Sequence, residues 1–170
     1  TMYPEDVRNW TEKVLSSLSE DILFGIHAHN NIQMAYANAI EFIKTPTKRS
    51  LLVDGSIYGM GRGAGNVPTE LLMEFMNTRY GESYNIKPLL MAFEEVLEPI
   101  FNQHYWGYSL SNYLTATKNT NSAYAWFLSS QDLSLCEMSD ILDRIPENER
   151  YKLIRSIVDK VIIEYKESRK

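Results

Sequence analysis

Two short apolar segments separated by a helical pattern constrain the fold of this chain more than any other feature. Ile22–His27 and Ser50–Asp54 are rich in residues that favour strands, and residues 32–43 between them have helical spacing. A glycine-rich loop over residues 59–66 follows the second segment, and Pro68 begins another helix. A first helix precedes the whole series. The alternation predicts an α/β fold in which the two strands are parallel and buried.

The second half of the chain has a different pattern. From Asn85 onward we find no strand, and residues 86–101 carry apolar side chains at helical spacing. Further helices are predicted over residues 109–118, 122–129, 134–144 and 147–167. Two strands cannot form a closed parallel sheet with both faces hidden. Either the chain is a fragment or another part supplies the rest of the sheet, and we expect residues 1–84 to hold the strands and residues 85–170 to be helical.

Composition excludes several classes of function. The 170 residues carry a formal net charge of -5 and scattered basic side chains, which argues against nucleic acid as the main partner. No apolar run approaches the roughly 18 residues that a membrane span needs. The single cysteine, Cys136, excludes an internal disulfide and is expected to be a small buried residue. A reducing, cytoplasmic location fits this cysteine usage.

The segment Gly25–Asn31 holds the strongest candidates for chemistry. Residues two apart on a strand point to the same face, so His27 and His29 are predicted to project together from the strand's carboxyl end. Barrel enzymes place catalytic groups at that end, and two neutral imidazoles suit a divalent metal ion. A carboxylate and water would complete the coordination. The alternative is a pair of histidines that only form hydrogen bonds where a loop begins.

The glycine-rich loop is a second candidate. Glycines permit positive φ and let the backbone approach a ligand closely, and the helix that follows can offer free N–H groups to an anion. Three interpretations remain open: a substrate loop, a nucleotide-binding loop and a tight structural turn. The G-x-G pattern by itself does not select the nucleotide.

Together these segments resemble a known enzyme family. The matching residues are Met2–Val7, His27–Asn31, Asp54–Ser56, Gly59–Asn66 and Glu70. They are similar to the 4-hydroxy-2-oxovalerate aldolase branch of the barrels that resemble HMG-CoA lyase. The similarity is close from Met2 to about Leu72 and looser from Gly107 to Asn119. It implies a (β/α)₈ TIM barrel with a helical C-terminal extension, of which this chain would be the C-terminal part.

The resemblance also implies a reaction and its site residues. His27 and His29 would bind a divalent ion, Mn²⁺ or Mg²⁺, and Gly61, Gly65 and Asn66 would form the substrate loop beside it. The expected reaction is class II aldol cleavage of a 4-hydroxy-2-oxo acid to pyruvate and an aldehyde through a metal-bound enolate. The family's catalytic tyrosine lies in the extension, where Tyr108 and Tyr113 are alternatives. His104 matches no family role.

Two departures from the family pattern affect the expected function. The family's Arg-Asp motif, which supplies a carboxylate ligand and an arginine, has no match here, so we expect an upstream part of the same barrel to supply it and this fragment alone to be inactive. Asn31-Ile32-Gln33 replaces the Asp-x-Gly of the acyl-CoA-dependent synthases. A Claisen condensation with an acyl-CoA is the alternative reaction.

A third possibility is a non-catalytic interaction module. Related aldolases dock an aldehyde dehydrogenase through the helical extension, and aromatic residues such as Tyr105–Tyr108 are enriched at interfaces. Packing of this stretch against the barrel is the alternative. A homo-oligomer is the other expected assembly, and a small 2-oxo acid is the expected substrate.

Overall fold

The computed structural model describes residues 1–169, which form two compact units. The first unit spans Met2–Gly107, and the second begins at Tyr108 and includes Thr1. The domain boundary expected at residue 84 stays a prediction. No helix within the described residues is long and apolar enough to cross a membrane.

The first unit follows the predicted alternation of helices and strands. Its elements are α1 (Pro4–Leu15), β1 (Phe24–Ile26), α2 (Ala35–Ile43), β2 (Leu51–Val53), a 3₁₀ turn (Ile57–Gly59), α3 (Thr69–Tyr80), α4 (Lys87–Ala92), a π-helical segment (Phe93–Leu97) and α5 (Glu98–Gln103). Helix α4, the π-helical segment and α5 follow one another without a break. The N–H of Glu98 donates to the carbonyl of Phe93, five residues earlier. The residues after Asn85 are therefore helical here, as predicted.

Strands β1 and β2 are paired in parallel. Phe24 is opposite Leu51 and Ile26 is opposite Val53, as the predicted α/β order requires. Gly25 faces Leu52 so closely that an added Cβ would lie 3.0 Å from the Cβ of Leu52. One face of the pair packs on α2, where the ring of Phe24 meets that of the buried Phe42.

The prediction that both strands are buried is wrong within the described residues. Leu52 of β2 is 49% exposed, and Leu23, just before β1, is 63% exposed. The reason is that β1 and β2 pair only with each other among residues 1–169. A parallel strand becomes buried only when both faces and both edges are covered.

One arginine connects the loop before β1 to the start of β2. Arg49 donates through its guanidinium to the backbone carbonyls of Leu18, Ser19 and Ile22. These carbonyls lie between α1 and β1, where no helix or sheet partner takes them. Arg49 therefore anchors that loop beside the strand pair.

Helix α2 begins later than predicted, at Ala35 instead of residue 32. Gln33 has a φ of 60°, and this left-handed conformation interrupts a right-handed helix. The side chain of Asn30 still acts near the helix start, because its Oδ1 accepts from the N–H of Ala35 at 3.3 Å.

The second unit is helical throughout its regular elements. They are α6 (Leu110–Thr117), α7 (Ala123–Ser129), α8 (Leu135–Arg144), a 3₁₀ turn (Glu147–Glu149) and α9 (Arg155–Glu167). Its core is formed by Tyr124, Phe127, Leu128, Met138, Ile141, Leu142, Ile145, Val158, Val161, Ile162 and Tyr165. Helix α8 begins with a capping box in which Ser134 and Glu137 satisfy each other's backbone N–H groups.

The predicted helix over residues 147–167 is interrupted at residues 150–154. Tyr124 donates its hydroxyl to the carbonyls of Glu149 and Lys152, and the N–H of Asn121 donates to the carbonyl of Arg150. These carbonyls would otherwise accept within a helix, so tertiary hydrogen bonds replace helical ones here.

Cys136 is exposed, which corrects the expectation that it is a buried residue. Its helix, α8, is amphipathic, and the buried side is formed by Met138, Ile141 and Leu142. Cys136 lies two residues before Met138 and therefore on a different side of the helix.

Candidate metal and substrate site

His27 and His29 lie where β1 ends. His27 directly follows the last residue of the strand, and the centroids of the two imidazole rings are 4.9 Å apart at an interplanar angle of 76°. Both residues are exposed, and the backbone of His29 forms an isolated antiparallel bridge with Asn66. The structure thus brings the two imidazoles together on accessible surface at the carboxyl end of the strand.

Asp54 occupies the equivalent position after β2. Its backbone N–H donates to the carbonyl of Ile26 at 3.0 Å, and its Oδ2 lies 3.0 Å from Nδ1 of His27. When Nδ1 carries the proton toward this carboxylate, Nε2 keeps its lone pair for a metal ion. The sequence placed Asp54 at the end of the second predicted strand and in the family match, with no role of its own. Its position at the end of the neighbouring strand was the available signal.

The glycines of the loop permit its close internal contacts. Gly59, Gly63 and Gly65 have positive φ, and the N–H of Asn66 donates to the carbonyl oxygen of Gly59 at 2.9 Å. An added Cβ at Gly65 would lie 2.3 Å from that same oxygen, and one at Gly61 would lie 2.7 Å from Nδ2 of Asn66. The loop therefore requires glycine at residue 65, whereas a side chain at residue 61 would displace the amide of Asn66.

Asn66 carries an unused oxygen. Its Nδ2 donates to the carbonyl of Met60 at 3.0 Å, which sets the orientation of the amide because only the nitrogen can donate. Its Oδ1 is buried and has no hydrogen-bond partner among the described residues. A buried acceptor without a partner is costly, and a bound cation or a donor group on a ligand would satisfy it.

The histidines and Asn66 belong to one hydrogen-bonded assembly. The bridge from His29 to Asn66 is followed by a bond from the N–H of Asn30 to the carbonyl of Gly65 at 2.9 Å. Two imidazoles and an amide oxygen fit a divalent ion of intermediate softness. Within residues 1–169 no group of three or more His, Cys, Asp or Glu side chains is arranged to hold a metal ion.

A cavity of about 170 Å³ adjoins Asn66. Its lining is formed by Asn30, Tyr58, Gly59, Ala64, Asn66, Pro68, Phe101, Tyr105, Trp106 and Gly107. The sequence suggested either an interface or packing against the barrel for Tyr105 and Trp106, and no role for Tyr58 or Phe101. The aromatic-rich stretch Tyr105–Tyr108 was the sequence signal that could have assigned Tyr105 and Trp106 to this cavity.

The tyrosines predicted to be catalytic lie in the second unit. Tyr108 is 40% exposed and Tyr113, on α6, is 41% exposed. Their catalytic role stays a prediction. Tyr105 is a third candidate, because it lines the cavity beside Asn66 within the first unit. His104, for which the sequence suggested no role, is exposed after α5.

Comparison with known proteins identifies the family of residues 1–96. The family described as HMGL-like matches residues 1–96. A 4-hydroxy-2-oxovalerate aldolase from Shewanella halifaxensis is 32% identical over 105 residues, which are 60% of this chain and 29% of that protein. The aldolase of the same name from Thermomicrobium roseum is 35% identical over 100 residues, 58% of this chain and 27% of that one.

Two further similarities extend the range of related proteins. An oxaloacetate decarboxylase from Mycobacterium tuberculosis is 37% identical over 79 residues, 46% of this chain and 22% of that protein. A crystal structure of the N-terminal domain of a candidate aldolase from Bacteroides vulgatus aligns with a TM-score of 0.66 at 25% identity, covering 77% of this chain and 42% of that one. The chain thus spans about three tenths of the length of the aldolases it matches.

Proposed function

The chain belongs to the HMGL-like family, and on that premise we propose that it is part of a metal-dependent aldolase. The reaction is cleavage of a 4-hydroxy-2-oxo acid to pyruvate and an aldehyde. The observation that carries the proposal is the pairing of His27 and His29 at the carboxyl end of β1, with Asp54 bonded to His27. Because the matched residues cover only 29% of the aldolase from Shewanella halifaxensis, the activity is proposed for the whole protein.

Each site residue has a defined task in this proposal. His27 and His29 offer ring nitrogens to a divalent ion, Mn²⁺ or Mg²⁺, and Asp54 holds His27 in the tautomer that leaves Nε2 unprotonated. Asn66, whose backbone is bridged to His29, offers its unpartnered Oδ1 as a further acceptor. A bound divalent ion supplies Lewis acidity, which polarises the 2-oxo group and stabilises the enolate charge of the pyruvate portion.

We further propose that the chain is the C-terminal portion of a barrel. The exposed apolar residues Leu23 and Leu52 support this, because further strands and helices would cover them. A carboxylate ligand and an arginine would come from residues outside this sequence. Residues 1–170 alone would then be inactive.

Oxaloacetate decarboxylation is a second candidate, favoured by the similarity to the decarboxylase from Mycobacterium tuberculosis. The two reactions share their central chemistry. Each breaks a carbon–carbon bond next to a 2-oxo acid and leaves the electron pair on the enolate of pyruvate. The same site could stabilise either one, so the substrate must be identified by assay.

The test measures pyruvate release by the full-length protein from a panel of 4-hydroxy-2-oxo acids and from oxaloacetate. We expect EDTA to abolish release and added Mn²⁺ to restore it. The His29→Ala variant should lose metal affinity and turnover together, whereas His104→Ala should retain both. Equal release after complete metal removal would refute the mechanism. Release only from oxaloacetate would favour the decarboxylase, and condensation of an acyl-CoA would favour Claisen chemistry.

Partners of the whole protein stay predictions. An aldehyde dehydrogenase that receives the aldehyde, or a second copy of the chain, is proposed on the resemblance alone.

A further inference from the structure

Tyr58 has a backbone conformation that few residues other than glycine adopt. Its φ is 53° and its ψ is 28°, inside the turn that follows β2. A bulky residue persists in this left-handed region only when its surroundings hold it there, and such residues cluster at functional sites.

Four interactions hold Tyr58 in place. Its N–H donates to Oε2 of Glu70 at 3.0 Å, and its carbonyl accepts from Nε1 of Trp106 at 3.0 Å. Its ring lies 4.5 Å from that of Phe93 and 5.3 Å from that of Phe101, measured between centroids. Phe93 begins the π-helical segment, and such segments are frequent at functional sites. Neighbouring side chains therefore hold both the backbone and the ring of Tyr58.

Tyr58, Phe101 and Trp106 line the cavity beside Asn66. Phe101 lies 4.9 Å from Trp106 and 5.1 Å from Tyr105 between ring centroids, so these aromatic rings form a continuous part of the lining. None of the residues that line the cavity has a charged side chain. The lining therefore offers a carboxylate no cation to pair with, whereas its aromatic rings can pack on an apolar group. The volume of about 170 Å³ is close to that of an apolar cavity of roughly 150 Å³ known to hold benzene.

We propose that this cavity binds the uncharged group attached to C4 of the substrate, and that Tyr58, Phe101 and Trp106 determine which groups are accepted. The proposal rests on the proposed function and narrows its substrate class. The substrates are 4-hydroxy-2-oxo acids that carry a phenyl group or a short unbranched alkyl chain at C4. Asn66 lines the cavity and is bridged to His29, so the C4 group would enter the cavity while the 2-oxo acid end stays with the histidines.

The first test is binding to the full-length protein, stripped of metal so that no turnover occurs. Benzyl alcohol is titrated while amide NMR signals of Tyr58, Trp106 and Gly107 are followed, with benzoate as the charged comparison. We expect saturable shifts with benzyl alcohol and at least tenfold weaker binding of benzoate. Phe101→Ala should weaken benzyl alcohol binding two- to tenfold, because one aromatic contact is lost. Phe75→Ala, a matched aromatic residue outside this cavity, should leave binding unchanged.

The second test separates this inference from the proposed function. In the full-length protein, kcat/KM is compared for 4-phenyl and 4-methyl substrates. We expect the 4-phenyl compound to have the higher kcat/KM. Phe101→Ala should lower the ratio of the two kcat/KM values at least threefold. Phe101→Leu should keep the fold and lower this ratio less. Cleavage with an unchanged preference would overturn this inference and leave the aldolase function standing. Absence of all cleavage, with benzyl alcohol still bound at Trp106, would refute the aldolase function while supporting the cavity as an apolar site. Binding of benzoate as tight as that of benzyl alcohol would overturn the inference directly.

Discussion

Nδ1 of His27 lies 3.0 Å from Oδ2 of Asp54, so a hydrogen bond joins the carboxyl ends of β1 and β2. The two side chains are 52% and 69% exposed. Water therefore screens the pair, so this hydrogen bond contributes little to the free energy of unfolding. Its consequence is orientation: the bond holds the imidazole so that Nε2 is available to a ligand.

Removal of that carboxylate should weaken metal binding. We expect Asp54→Ala to lower the affinity of the full-length protein for Mn²⁺ about 10- to 100-fold, the usual effect of losing a group that orients a metal-binding histidine. His29→Ala should have a larger effect, because a direct ligand is lost. Both are measured by Mn²⁺ titration with EPR detection. Asp159→Ala, which changes an exposed residue on α9, is the control, and an Asp54→Ala affinity equal to that of the control would contradict the orienting role.

Two glycines with similar backbone conformations should differ in their tolerance of alanine. Gly65 has a φ of 76° and Gly81 a φ of 71°, but an added Cβ meets the carbonyl oxygen of Gly59 at 2.3 Å only in the first case. Gly81→Ala should cost about 1–2 kcal/mol for the left-handed conformation alone. Gly65→Ala should cost clearly more, because the backbone of the loop must also move. Urea unfolding measures both, and equal losses would show that the loop can relax around the methyl group.

The exposure of Cys136 changes what its replacement should do. We expect Cys136→Ser to change the free energy of unfolding by less than about 0.5 kcal/mol, as is usual at the surface. The native thiol should also react readily with Ellman's reagent. Ile141→Ala on the same helix is the contrasting variant, since Ile141 is fully buried and a cavity there should cost about 2–5 kcal/mol. A protected thiol, or a large loss for Cys136→Ser, would contradict the exposed position.

Glu137 should make the stability of the second unit depend on acid pH. Hydrogen bonds from the backbone N–H and then the hydroxyl of Ser134 hold the pKa of Glu137 below its ordinary value. A lowered pKa means that the stabilisation is fully present above the ordinary value of about 4.3 and is lost as the pH falls through the folded-state pKa. We expect Glu137→Gln to be less stable than wild type near pH 7, with the difference shrinking as the pH falls through the lowered pKa of Glu137.

Urea unfolding over this pH range measures the difference, and Glu147→Gln is the control because the side chain of Glu147 is exposed. If Glu137→Gln is still less stable than wild type by the same amount at the lowest pH, the glutamine amide is a poorer helix cap for a reason other than its missing charge.

Local patterns predicted the elements of this fold because they depend on neighbours in the chain. Apolar, strand-favouring segments predicted two parallel strands, and helical spacing predicted a second half without strands. The spacing of His27 and His29 also indicated a shared location, because alternate residues of a strand share a face. The interruption at residues 150–154 could not be predicted in this way, since it depends on Tyr124 and Asn121, which are 25 or more residues distant in the chain.

The sequence by itself determined the order of helices and strands, the glycine loop and the placement of two histidines at a strand end, because each follows from backbone preferences over a few residues. Only the tertiary structure decided that Asp54 meets His27, that Asn66 keeps an unpartnered oxygen, and that Phe93, Phe101 and Trp106 surround Tyr58. The contact between His27 and Asp54 joins residues 27 positions apart, and that between Tyr58 and Trp106 joins residues 48 positions apart. Their formation depends on how the elements pack, and packing depends on shape and burial that no local pattern records.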